Sequence, residues 1–96
     1  MNEKIQLKHP EGKKAVSISK EKYDLLRPAV LKCLRTKGEA TLGEISRAIT
    51  KDFKTRGKRF EGSLAWYLEW VKLDLEARKM IRRVPSTSPQ LYVIAR

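Results

Sequence analysis

Apolar and polar positions alternate with a period of two near the N-terminus of this chain, recur every three to four residues through its middle, and give way to two short apolar runs near its C-terminus. Ile5 and Leu7 alternate with Lys4, Gln6 and Lys8, and Val16 and Ile18 alternate with Ser17 and Ser19. Period two puts one face of each run on a core. Between them, His9-Pro10-Glu11-Gly12 has Pro where a turn needs a fixed φ and Gly where it needs freedom. An N-terminal hairpin over residues 1–19 is therefore predicted.

Ser19 is placed to cap a helix over residues 20–36, on which Tyr23, Leu26, Val30 and Leu34 form one stripe. Pro28 interrupts it. Proline deletes the N–H that would bond the carbonyl of Asp24, so the helix is expected to kink or to restart with Pro28 in its first turn. Lys37-Gly38 closes it. Thr41-Leu42-Gly43-Glu44 is a capping box, and Leu42, Ile45, Ile49 and Phe53 follow at helical spacing. The second helix should fade near Phe53 and Lys54. Lys54-Thr55-Arg56-Gly57-Lys58-Arg59 reads as the turn after it. A third helix starts near Ser63 with two apolar stripes: Leu64, Leu68, Val71 and Leu75, and beside them Trp66, Trp70, Leu73 and Ala77. Both are expected in the core, leaving Ala65, Glu69, Lys72, Glu76 and Lys79 as the exposed arc. No Gly ends this helix, so a left-handed cap would fall on Lys79.

Residues 80–84 and 91–95 are short apolar runs joined by Pro85-Ser86-Thr87-Ser88-Pro89. Helix, strand, polar turn and strand form the closing half of a winged helix-turn-helix. The expected fold is α+β, a single winged-helix domain over residues 1–96. It has a hairpin (1–19), three helices (20–79) and a two-stranded wing (80–96) with its tip at residues 86–88.

Composition narrows the class. With 96 residues, 41% hydrophobic and 34% charged, the chain suits one domain with one modest core and not a disordered tail. No signal-peptide core or membrane span is legible, so a cytoplasmic protein with no membrane partner is expected. Cys33 is a lone thiol on an apolar helix, read as a small buried hydrophobe. His9 is a turn residue without a base, nucleophile or metal ligand beside it. No catalytic residues, metal site or cofactor are expected, and the chain is read as a non-enzyme. The pattern sets no oligomeric state.

Charge changes the picture most. The net charge is +11, a surplus that favours polyanionic partners. Residues 51–60 hold +4 of it, whereas residues 61–79 carry −1. Lys51, Lys54, Arg56, Lys58 and Arg59 thus cluster before the third helix, whose start enters the major groove in helix-turn-helix proteins. With Ser63 at that start and Arg82 and Arg83 beside the wing, they form the candidate nucleic-acid-binding set for duplex DNA. Glu69, Asp74 and Glu76 argue against groove insertion, although Glu69–Lys72, Asp74–Arg78 and Glu76–Lys79 are spaced to pair within the helix. The alternative is a protein-protein interaction module using the same fold without DNA.

The block Trp66-Tyr67-Leu68-Glu69-Trp70-Val71-Lys72-Leu73-Asp74-Leu75-Glu76-Ala77 resembles a family of small uncharacterised bacterial proteins about the length of this chain. The residues from Val71 to Ala77 are its most specific part. The resemblance extends over the His9-Pro10 turn, the helices and the wing. More broadly, the helix followed by Ile81-Arg82-Arg83 resembles the end of winged-helix regulators, which often have Gly where Lys79 stands. The resemblance implies the fold and carries over no catalytic or binding residue.

Overall fold

The computed structural model of the protein describes residues 3–95. It is α+β, with three helices and two small antiparallel sheets. The N-terminal hairpin forms from β1 (Lys4–Gln6) and β2 (Ser17–Ser19), with Ile5 opposite Ile18. The Leu7 N–H extends the pairing to the Val16 carbonyl at 3.1 Å, and the Gly12 N–H closes the turn on His9 at 2.9 Å. Leu7 and Ile18 point into the core, as the alternation requires.

Helix α1 (Lys20–Lys37) starts at Ser19, whose hydroxyl accepts from the Lys22 N–H. It runs unbroken through Pro28, so the expected restart does not occur. The reason is tertiary: Pro28 faces solvent, while Leu26 and Val30 on either side are buried. One missing backbone bond is outweighed by an apolar face held on the core.

Helix α2 (Leu42–Thr55) carries the capping box. The Thr41 hydroxyl accepts from the Glu44 N–H at 3.1 Å, and Glu44 Oε1 accepts from the Thr41 N–H at 2.9 Å. These bonds pull the Glu44 carboxyl's pKa below its ordinary value. Helix α3 (Leu64–Ala77) is capped by Ser63, which accepts from the Trp66 N–H. Helices α2 and α3 close in the same way. After α2, Gly57 donates to the Lys54 carbonyl and Lys58 to that of Phe53; after α3, Lys79 donates to Glu76 and Met80 to Leu75. Both closures need a left-handed residue. Gly57 supplies it at φ 67°, and Lys79 at φ 61°, as the missing glycine implied.

The C-terminal strands β4 (Ile81–Arg83) and β5 (Leu91–Ile94) pair as expected, but not as an isolated wing. A two-residue strand, β3 (Ala40–Thr41), joins α1 to α2 and pairs with β5, giving the order β3-β5-β4. Thr41 thus serves both sheet and cap. The loop between β4 and β5 is held by Thr87 and Gln90, whose side chains both donate to the Val84 carbonyl.

The core is a single cluster that includes Leu26, Val30, Leu34, Ile45, Ile49, Leu68, Val71 and Leu75. Two expectations for α3 fail. Its second stripe is not fully core: Trp66 is 45% exposed, Leu73 and Ala77 are half-buried, and Trp70, also half-buried, packs against the core from its edge. The domain has enough layers to cover one side of α3 and none for the other. The polar arc is not free either. Lys72 is buried at 8% exposure, and Asp74 is fully buried. The sheet lies along that flank, bringing Lys72 over the Tyr92 ring, while Asp74 faces α1 and the N-terminal segment. Asp74 accepts from the Tyr23 hydroxyl (2.6 Å), the Lys8 N–H (2.8 Å) and Arg78 Nε (2.8 Å).

Candidate nucleic-acid interface

The solvent face of α2 is a line of cations. Arg47, Lys51 and Lys54 stand at i, i+4 and i+7, all exposed, and the line continues through the Gly57 closure into Lys58 and Arg59. Spacings of three and four stack side chains along one face of a helix. Among the described residues, none of these five forms an ion pair. Arg47 is absent from the set that charge density selected. Its spacing to Lys51 was the available signal, but it falls outside the dense ten-residue window. Arg56, by contrast, is paired with Asp52 at 3.2 Å.

The turn that presents Lys58 and Arg59 is anchored from below. Phe60 stacks on Phe53 and meets Tyr67 edge-on, with centroids 6.4 and 5.2 Å apart. Lys22, from the first turn of α1, donates to the Glu61 carbonyl (2.9 Å) and the Tyr67 hydroxyl (3.2 Å). Its ammonium also lies over the Tyr67 ring, 4.6 Å from the centroid. Gly62, at φ 96°, takes a left-handed conformation close against Tyr67: a Cβ there would come 3.2 Å from the ring, tighter than ordinary contact. These tethers give the connection between α2 and α3 a fixed course, and nothing in local composition announced them.

The other sequence-selected residues are placed differently. The Ser63 hydroxyl is occupied as the α3 cap. Arg83 donates to Glu76 Oε2 at 3.1 Å, and that bond raises the guanidinium above its ordinary pKa. Glu76 thus pairs across to β4 instead of with Lys79. Glu69–Lys72 and Asp74–Arg78 pair as their spacing implied, each at 2.8 Å. Arg82 is exposed, but it lines a shallow depression with Arg35 and Gly38 at the far end of α1. Lys22, which holds the basic turn, lies thirteen residues before Arg35 on that helix, about 20 Å away at 1.5 Å per residue. The turn anchored by Lys22 is thus set apart from Arg82, whereas Arg47 and Lys51 line a depression with Lys37, two residues from Arg35 on α1.

No helix among the described residues is long and apolar enough to cross a membrane, and no group of three or more His, Cys, Asp or Glu among them is arranged to hold a metal ion. Residues 4–92 match a family of unknown function (DUF6958), and the chain belongs to that family. No curated protein and no solved structure matches it.

Proposed function

We propose that this protein binds duplex DNA through its phosphate backbone, with Arg47, Lys51, Lys54, Lys58 and Arg59 as the contacts. The observation that carries this reading is the row of exposed cations on one face of α2, followed by two more in the turn before α3, none of them in an ion pair among the described residues. We read the three helices and the β3-β5-β4 sheet as a winged helix-turn-helix. In that motif the first helix crosses the backbone and the second enters the groove. Here α2 has the charge for the first role. The outward face of α3 holds tryptophans, leucine and alanine, which offer bases few hydrogen bonds. Affinity in this reading comes from counterion release, with little sequence preference.

A titration of labelled duplexes at several salt concentrations tests it. Neutralising about five phosphates gives a slope of log K against log salt of about −4 to −5. Replacing Lys51, Lys54 and Lys58 together by Ala should flatten that slope by about three and leave the fold intact, because all three are exposed. Absence of binding to any duplex at about 50 mM salt, where phosphate contacts are strongest, refutes the reading.

A further inference from the structure

Helix α3 is apolar on both sides. Leu64, Leu68, Val71 and Leu75 face the core, and the opposite pole is Trp66, Trp70, Leu73 and Ala77 at i, i+4, i+7 and i+11. A second apolar stripe on a helix calls for a second surface to cover it. Here the cover is partial: Trp70, Leu73 and Ala77 are half-buried, with Trp70 packed against the edge of the core, and Trp66 is the one large hydrophobic side chain that is exposed among the described residues. The rings of Trp66, Tyr67 and Trp70 also form a connected group, with centroids 5.0 Å apart for Trp66–Tyr67 and 6.2 Å for Trp66–Trp70. The patch is preassembled.

We infer that a second copy of this chain covers this face, α3 against antiparallel α3. Two properties of the face select that occupant. The first is charge. Two molecules of net +11 repel wherever their cations meet, but residues 61–79 carry a net charge of −1. The apolar pole itself carries no ionisable group, and the neighbouring Lys72 is tied to Glu69 at 2.8 Å. An acidic partner would find its counter-charge on α2, not here.

The second property is self-complementary shape. A two-fold axis crossing α3 between Val71 and Lys72 sets Trp66 opposite the second copy's Ala77, and Trp70 opposite its Leu73. Each large side chain then meets a smaller one, as an isologous interface requires. A helix about 21 Å long and about 10 Å across offers roughly 200 Å² of facing surface, well short of the about 800 Å² per partner of a standard interface. The dimer should therefore be weak, with a dissociation constant in the micromolar range, on the order of tens of μM. This inference goes beyond the DNA reading and does not rest on it, because the α2 cations remain uncovered.

Sedimentation equilibrium of the full chain decides it. The expected result is a monomer–dimer equilibrium that tightens when salt rises from about 100 to about 500 mM, because screening removes the residual repulsion between two basic chains. Trp66→Glu and Ala77→Lys should each weaken self-association by at least about tenfold, with unchanged circular dichroism, by burying an unpaired charge in the contact. Mixing the two variants should recover a heterodimer, because the antiparallel register brings the carboxylate introduced in one chain against the ammonium introduced in the other. Wild-type protein that stays monomeric at about 1 mM overturns the inference. So does a dimer indifferent to both substitutions, or one that mixing fails to restore.

Discussion

The deepest consequence of the packing is concentrated in one carboxylate. Asp74 is fully buried and holds three donors from three parts of the chain: the Lys8 N–H, the Tyr23 hydroxyl and Arg78 Nε. Asp74→Ala removes the acceptor and strands those donors unequally. Tyr23 is only 2% exposed, so its hydroxyl loses its partner without access to water, at about 1–3 kcal/mol. The Lys8 N–H is partly buried and adds on the order of 1 kcal/mol. Arg78 is 30% exposed in its side chain and can rehydrate, which limits its share. The total, about 2–4 kcal/mol, overlaps what breaking a buried ion pair costs and is a large part of the roughly 5–15 kcal/mol available to a domain of this kind. Urea unfolding followed by tryptophan fluorescence measures it. A double-mutant cycle sharpens the test. Tyr23→Phe alone should destabilise, but on the Asp74→Ala background it should be neutral or stabilising, because it removes a stranded hydroxyl. A loss below about 1 kcal/mol for Asp74→Ala, or two losses that simply add, would refute the reasoning.

Three further outcomes follow from local geometry. Burial, and then the bond to Asp74, push the Tyr23 phenol up from 10.0 to about 12. A folded-state value above the unfolded one means its contribution is complete below about pH 10 and lost as the pH rises towards about 12. The loss is about 2–3 kcal/mol and should be present in wild type and absent from Tyr23→Phe in alkaline urea titrations. Lys79→Gly should stabilise by about 0.5–1 kcal/mol in thermal or urea melts, because the left-handed strain exceeds the added freedom of the unfolded chain. Thr41→Ala should cost about 0.5–2 kcal/mol and speed hydrogen exchange at the Glu44 amide, which then has no acceptor.

Local chemistry was legible in the sequence, and long-range placement was not. The capping box at Thr41 is written in adjacent residues, as is the start of α3 near Ser63, and the lack of a glycine assigned any left-handed cap to Lys79. The face of α3 is a different problem. Periodicity reveals that two stripes are apolar, but which one meets a core depends on how many layers the rest of the chain can supply. Asp74, one turn from Arg78, reads as a solvated pair until Tyr23 and Lys8 are known to lie against it. β3 has two residues and no periodicity; its existence depends on β5. In the candidate site, charge density selected Lys51, Lys54, Arg56, Lys58 and Arg59; it did not reveal that Arg56 is paired with Asp52, and it missed Arg47, whose helical spacing to Lys51 was the available signal. The placing of Arg82 beside Arg35 and the pairing of Arg83 with Glu76 depend on how β4 packs, which no local pattern encodes.

The position of β5 has a consequence for how the molecule is made. It is the middle strand, yet it follows both of its neighbours in the chain, and its partner in β3 lies about half the sequence earlier, with Ala40 opposite Tyr92. Synthesis runs from the N-terminus. Helices α1 and α2 can associate early, but β3 and β4 must then wait with bare edges, because neither has the other to pair with. Strand closure is therefore a late, non-local event, of the kind that slows folding and leaves edges open to other chains. The brevity of β3 and the consecutive arginines of β4 limit that exposure, so the interval before β5 arrives is the period in which a nascent molecule is most open to misassociation.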